Sequence, residues 1–359
     1  MKTPSSRRLL TIAAILTLGF FGLGFAMLVG VEGTVDSIVS LASVAALGIV
    51  ATYVHEGETR DYTPVAAATA GDVVQLPDGR AAVVINDIAA GDLGAANSCG
   101  IFDIAKTTGI VILDGGRVYY DHSAGKAHFK KVNDRDFYLG VAVGDAASAA
   151  TTVRVALNTE PAYVVDVARD PIDSVIVKTS GTPQLRALGG AMSLEFSATA
   201  EAQKVDVLSK DGFAVSSNPI VEFALEVVNG GDDAAFDFNC GVANATHASD
   251  ADSITESCFI HLDGNSTNIN AESDDGTTEV AATDTTVDYV AGTRFEVWMD
   301  LRDPSDVQVY IDGVLVLSGT TFDVSAATGP LKLLAHLEKS SNDTAGEVHV
   351  DWMRARIAS

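Results

Sequence analysis

Basic residues are scarce in this chain, with 23 Lys and Arg against 48 Asp and Glu and a formal net charge of −25 over 359 residues. A protein that neutralises phosphates needs clustered Lys and Arg, so this balance excludes nucleic acid as a partner. Cysteine is almost missing. Cys99, Cys240 and Cys258 have neither the paired spacing of a zinc site nor the even count of a disulfide framework. They read as ordinary thiols, and Cys240 and Cys258 can pair only if their strands are neighbours. Aromatics are only 7% of residues, whereas Gly, Ala, Val, Thr and Asp abound, which suits short strands and tight turns better than helical bundles. The length allows two domains, each with its own core, and both large segments are expected to be mainly β.

Long apolar runs are confined to the start. Residues 9–30 carry no charge, follow Arg7-Arg8, and are long enough to cross a bilayer. A weaker run from Ile38 to Val54 follows a loop holding Glu32 and Asp36. Three readings fit residues 1–50: an α-helical transmembrane hairpin with both ends on the cytoplasmic side, a secretory signal without a well-placed cleavage site, or an over-extended gene start. The last is suggested by Val50, whose codon can be the alternative start GTG, immediately before Ala51.

From 51 to 158, short β runs alternate with turn signals. Gly71-Asp72-Val73-Val74-Gln75-Leu76 and Ala81-Ala82-Val83-Val84-Ile85 flank Pro77-Asp78-Gly79, in which Pro presets φ and Gly accepts φ > 0. Arg117-Val118-Tyr119-Tyr120-Asp121, Tyr138-Leu139-Gly140-Val141-Ala142-Val143 and Thr151 to Asn158 follow. Before them runs a polar arm with Thr52, Tyr53, Gly57, Thr59, Asp61, Tyr62 and Thr63. In order and content these motifs resemble the capsid-decoration (head cement) proteins of tailed bacteriophages, some of which carry a RecA-like recombinase name. The resemblance covers nearly all of 51–158, though each motif alone is weak. The recombinase name finds no support in the residues. At the only Gly-Lys, Gly125-Lys126, the phosphate-loop spacing puts Tyr120 where the first glycine belongs and Ala127 where the hydroxyl belongs.

Residues 159–188 read as a connector with one or two strands, interrupted by Pro161, Pro171 and Pro183. From 189 to 359 the alternation is cleaner: Val221 to Val227, Arg294 to Leu301 and Val307 to Ile311 each set apolar residues on one face, the mark of a two-sheet sandwich. Asp312-Gly313 is a type I′ hairpin signal. The Val307–Leu317 hairpin and the closing run Gly346 to Arg354 resemble concanavalin A-like (laminin-G-like) jelly rolls, a likeness that marks fold far better than function. The expected architecture is therefore mainly β: a small β-barrel or sandwich, then a jelly-roll β-sandwich, behind a hydrophobic α-helical segment.

Little in the sequence argues for catalysis. The seven histidines are scattered singly, without a metal-pair or triad spacing. The Glu-x-Asp-x-x-Glu run of jelly-roll glycosidases is missing, and Glu222 and Glu226 read as a solvated strand face. Acidic loops at Asp232-Asp233, Asp250-Ala251-Asp252, Asp263-Gly264-Asn265 and Asp274-Asp275-Gly276 offer the hard oxygens that calcium takes, Asp232, Asp233, Asp263, Asp274 and Asp275 first among them, and laminin-G-like domains often bind it at such loops; acidic, soluble turns are the alternative.

The decoration resemblance implies a structural virion protein, not an enzyme. Its partner would be the major capsid protein, with self-association as a homotrimer at three-fold positions, assembly in the host cytoplasm, and the Thr52–Pro64 arm adding β contacts to the shell. An outward jelly roll would then meet surface glycans or add bulk. The rival reading is a membrane-anchored or exported lectin-like adhesin, and a polysaccharide-acting enzyme is the weaker third.

Overall fold

Short apolar runs broken by Gly, Asn and Asp turns produce strands throughout the computed structural model, which describes residues 58–167, 174–247 and 250–358. The apolar run 9–30, the run from Ile38 to Val54, and Thr52, Tyr53 and Gly57 lie outside the described residues. No helix among the described residues is long and apolar enough to cross a membrane.

The first module has two antiparallel sheets. β1 (Thr59–Tyr62), β2 (Val73–Gln75), β3 (Ala81–Val84) and β4 (Gly94–Asn97) pair in the order β1-β4-β3-β2. β5 (Ile101–Ala105), β6 (Arg117–Asp121), β7 (Lys126–His128), β8 (Phe137–Ala142) and β9 (Thr152–Leu157) pair in the order β5-β9-β8-β6-β7. Asn158, at φ 55°, ties the two together: its Nδ2 donates to Ala81 O at 2.9 Å and Ser98 O at 2.7 Å, and its Oδ1 accepts from Ala81 N at 2.9 Å. Gly140 is required by backbone proximity, since a Cβ there would lie 2.0 Å from Ala156 O, at a φ of +150°.

The remaining strands are β10 (Tyr163–Val167), β11 (Ser174–Ser180), β12 (Gln184–Leu188), β13 (Ala191–Phe196), β14 (Glu201–Ser209) and β15 (Pro219–Asn229). They continue with β16 (Phe236–Ala243), β17 (Ser257–Asp263), β18 (Asn268–Asp274), β19 (Glu279–Asp288) and β20 (Arg294–Asp300). Last come β21 (Gln308–Ile311), β22 (Val314–Val316), β23 (Lys332–Asn342) and β24 (Gly346–Ile357). An eight-stranded sheet runs β12-β13-β24-β15-β20-β21-β22, with β10 also on β24, and a seven-stranded sheet runs β11-β14-β23-β16-β17-β18-β19. Their inner faces share one core, including Phe223, Leu225, Phe236, Phe238, Val297, Met299 and Leu337. The segment read as a connector thus supplies β10, β11 and β12 to the sandwich sheets. Asp312 and Gly313 take φ 49° and 76°, as the two-residue hairpin between β21 and β22 requires.

The eight-stranded sheet is covered on its outer face as well. Ile220, Trp298, Tyr310 and Ala358 point away from the sandwich core and join Ile112, Phe129, Phe137, Leu139 and Leu157 of the first module in a second core. Phe129 meets Trp298 edge-on, with centroids 5.0 Å apart. Around this contact Val111 N donates to Gly313 O at 2.7 Å, Lys130 Nζ to Asp312 Oδ1 at 2.7 Å, and Arg302 Nη2 to Asp145 Oδ2 at 2.8 Å. Glu222 is therefore not on a solvated face. It is 5% exposed, accepts from Arg356 and Tyr163, and is buried because the first module covers the face to which the alternation assigns it.

Cys240 and Cys258 do lie on neighbouring strands, but Cys240 sits opposite Ile260 and Cys258 opposite Val242. All three cysteines are free, and burial pushes the Cys258 thiol up to about 12 and Cys240 well above its usual range, which leaves both inert.

Trp298→Ala should cost on the order of 3–5 kcal/mol in urea unfolding, because the shared core is well packed around it. A loss below about 1 kcal/mol would mean that the two modules are not stabilised by this contact.

Candidate functional site

The polar arm is built into the first module from Thr59 onward. β1 pairs antiparallel with β4, Thr59 opposite Asn97 and Tyr62 opposite Gly94, and Thr59 Oγ1 donates to Asn97 Oδ1 at 2.9 Å. Tyr62 packs against both small clusters of this sheet, beside Ala68, Val84 and Ile88 on one side and Leu76, Ala82 and Ala96 on the other. Ser98 N donates to Glu58 O, so the hydrogen-bonded pairs fall at Glu58, Arg60 and Tyr62, and the backbone groups of Thr59 and Asp61 point outward. No strand among the described residues pairs on that outer side. Thr63 is exposed, and Val65 and Leu93 leave apolar side chains 100% and 70% exposed near the end of the edge.

The acidic loops chosen for calcium are closed by their own hydrogen bonds. Asp232 Oδ1 accepts from Thr344 Oγ1, Asp233 Oδ1 from Ala235 N, and Asp274 Oδ1 from Gly276 N. Asp275 is buried and accepts from Thr277, Thr278 and Ala326 N. Asp263 faces His261 Nε2 at 3.1 Å and Asn270 Nδ2 at 3.3 Å. Among the described residues, none of these five joins a group of three ligand atoms suited to a metal ion.

A cluster that spacing did not reveal stands on the outer face of the seven-stranded sheet. Cross-strand register puts Asp206, His336, Asn239, His261 and Asn270 in one row over β14, β23, β16, β17 and β18. Lys204, Glu338, Asp237 and Asp263 form the next row. The loop after β16 closes the rest of this face by packing Ala251 and Ile254 on Leu208, Phe259 and Leu334, and brings Asp250 and Asp252 to the edge of the polar rows. His261 Nδ1 lies 3.3 Å from both Asp252 and Glu272. Burial alone would lower its pKa, but hydrogen bonds to these two and the charge of Asp237 carry it up to about 12. His336, wholly buried, rises to about 9 because bonds to Asp206 and Glu338 outweigh burial. Burial pushes Asp237 up to about 7 against the pull of His261. Lys204 Nζ, Asp206 Oδ2, Asp237 Oδ1 and Asn239 Oδ1 are buried there without a hydrogen-bond partner. The signal in the sequence was period-two polarity, Asp237-x-Asn239, His261-x-Asp263 and Asn270-x-Glu272, but strand order was needed to join it.

A second polar region lies between the modules. A cleft of about 240 Å³ is lined by Arg117, Lys130, Glu296, Trp298, Trp352 and Arg356, among others. Arg356 Nε reaches Asp114 O at 2.9 Å while its guanidinium also holds Glu222, and Arg294 lies 3.0 Å from Glu296 and 5.6 Å over the Trp352 ring. The charges here are mostly paired with each other.

Among the described residues, the fold and these surfaces define a two-module β protein with an open strand edge at β1 and a largely buried polar face on the seven-stranded sheet. Residues 54–157 match the family model described as phage cement protein. No curated protein matches the chain. Among solved structures, the chain is similar to the Emp47p carbohydrate recognition domain at 11% identity, covering 55% of this chain and 94% of that one, with a TM-score of 0.39. It is similar to a protein from work on endo-acting O-glycanases of the human gut microbiota at 11% identity, 55% and 100% coverage and a TM-score of 0.42. For LamAcat from Zobellia galactanivorans the values are 11%, 54%, 96% and 0.38. At such identities the likeness concerns fold, not what this chain binds.

Glu296 gives the cleft a pH dependence. It is 8% exposed, and burial pushes its pKa up to about 7 despite Arg294. A carboxyl that holds its proton more tightly when folded favours folding below its usual titration range, and that contribution is lost as pH rises through about 7. Glu296→Gln should therefore match wild type near pH 4.5 and gain stability above pH 7, by up to about 3 kcal/mol. Parallel melting curves across that range test this, and a constant difference between the two proteins contradicts it.

Proposed function

We propose that this chain is a structural, non-catalytic virion protein that decorates and stabilises a phage capsid. The observation that carries this reading is the phage cement match over residues 54–157, which spans the first module including its open edge. On this reading residues 51–158 are the docking unit, the major capsid protein is the partner, and the virion surface is the location. β1 extends its sheet onto the shell: the unpaired backbone groups of Thr59 and Asp61 supply hydrogen bonds, and Val65 and Leu93 supply apolar contact beside them. Thr52, Tyr53 and Gly57 belong to the same arm. Self-association as a homotrimer at three-fold positions lets weak protomer contacts act together.

The sandwich is carried by the docking unit through the shared core and adds mass and acidic surface above the shell. Contact with surface glycans is its proposed second role.

The test mixes purified protein with undecorated capsids of the parent phage and follows co-sedimentation and electron microscopy. Wild type should bind in a fixed ratio to the shell, and failure to bind overturns the reading. Asp61→Pro removes an N–H that β4 does not use, so the unfolding transition should stay near wild type. Its capsid affinity should fall by at least about tenfold, ~1.4 kcal/mol. Undiminished binding by this variant would remove the strand edge from the docking surface while leaving the decoration role intact.

A further inference from the structure

We propose that the outer face of the seven-stranded sheet binds one divalent transition-metal ion through Asp237, Asp252 and His261. The site is independent of the capsid reading; it takes Asp252 from one of the acidic loops that the sequence offers for calcium and its other two ligands from β16 and β17.

The three residues come from β16, the loop after it and β17, and each presents a ligand atom within 4.8 Å of the others. Tetrahedral coordination with bonds of about 2.0–2.1 Å needs ligand atoms roughly 3.4 Å apart, so small side-chain rotations close the site. The two carboxylates stand against different ring nitrogens, Asp252 Oδ1 3.3 Å from His261 Nδ1 and Asp237 Oδ1 3.6 Å from Nε2, so one of them rotates to share a nitrogen with the other on the ion. Whichever ring nitrogen meets the ion, the other keeps a carboxylate: Asp263 at 3.1 Å from Nε2, or Glu272 at 3.3 Å from Nδ1. That outer partner fixes the ring orientation of a metal-binding histidine. Asn239 Nδ2 donates at 2.8 Å to both Asp252 and Glu272, which holds the loop carboxylate over the sheet.

One observation besides the acidic cluster points to a ligand. Asp237 Oδ1 is buried and makes no hydrogen bond, with His261 Nε2 3.6 Å away. A buried carboxylate oxygen without a donor is costly unless something positive and small reaches it. Asp250, Asp263, Glu272 and Glu338 add further negative charge around the same point. The mixed nitrogen and oxygen donors select zinc or manganese over calcium, which prefers oxygen alone. An all-oxygen group, Asp237, Asp250 and Glu338, overlaps this one and is the alternative calcium seat.

The experiment is calorimetric titration of untagged, chelator-stripped full-length protein with ZnCl2, MnCl2 and CaCl2. One equivalent of zinc or manganese should bind more tightly than calcium. Asp237→Asn and Asp252→Asn should each weaken that binding by at least roughly tenfold, while Asp274→Asn, in one of the acidic loops, should leave it unchanged. Unfolding curves in chelator confirm that the variants fold, which is expected because each removes a negative charge from a crowded acidic cluster. No stoichiometric binding overturns the site, as does binding that survives both substitutions. Calcium bound more tightly than zinc or manganese, and lost on Asp250→Asn or Glu338→Gln, overturns it in favour of the all-oxygen group.

Discussion

The eight-stranded sheet is covered on both faces where β15, β20 and β21 meet the first module, and much else follows from that constraint. Its inner residues, such as Phe223, Leu225 and Met299, belong to the sandwich core, while Ile220, Trp298 and Tyr310 belong to the core shared with the first module. A sheet covered on both sides must either be apolar throughout or pair every charge it carries. Here it does both along its length. The apolar half of the outer face meets Phe129, and the charged half is zipped by Arg356 with Glu222 and by Arg294 with Glu296. Both pairs lie within the sandwich sheet itself; the polar contacts that cross to the first module are Lys130 with Asp312, Arg302 with Asp145 and Arg356 Nε with Asp114 O, while the aromatic contact supplies the adhesion. The two modules are joined by that shared core and these contacts.

What the sequence revealed and what it hid divide along the distance over which each feature is decided. Asp312-Gly313 and Pro77-Asp78-Gly79 were readable because a hairpin depends on the φ of adjacent residues, and Gly79 and Gly313 do take φ 89° and 76°. The strands flanking them were readable from their own alternation. Glu222 was misread because alternation shows that two faces differ, not that one is wet. The buried state of Glu222 depends on a module whose nearest core residues lie 60 or more positions away. Cys240 and Cys258 were left open on adjacency alone, yet adjacency was not enough: two residues of register separate them.

The histidine–carboxylate face was hidden for a stronger reason. His336 stands beside Asn239 only because β23 inserts between β14 and β16, and His261 stands on the other side only because β17 follows β16 as a hairpin. Five strands, from Asp206 on β14 to His336 on β23, are needed to assemble one row. Local polarity at every second residue was present in each segment, but it is equally the pattern of a strand facing water, and only the loop that closes this face makes the difference. By packing Ala251 and Ile254 over Phe259 and Leu334, that loop dries half of the face and draws Asp250 and Asp252 over the other half.

The same constraint separates the two surfaces on which the chain can act. The edge of β1 is open and extended, and its chemistry is that of the backbone, indifferent to which side chains face it. The polar face of the sandwich is the reverse: Asp206, His336, Asn239 and His261 are fixed by register and buried, with Asp252 and Asp263 at its edge. Register brings Asp237 and Asn239 onto that face at successive outward positions of β16, and neither Asp237 Oδ1 nor Asn239 Oδ1 makes a hydrogen bond. A strand whose outward residues served only solubility would leave such oxygens in water. Burying them beneath a loop that itself brings more carboxylates concentrates negative charge on this face, which is why His261 and His336 hold their protons well above the usual histidine range.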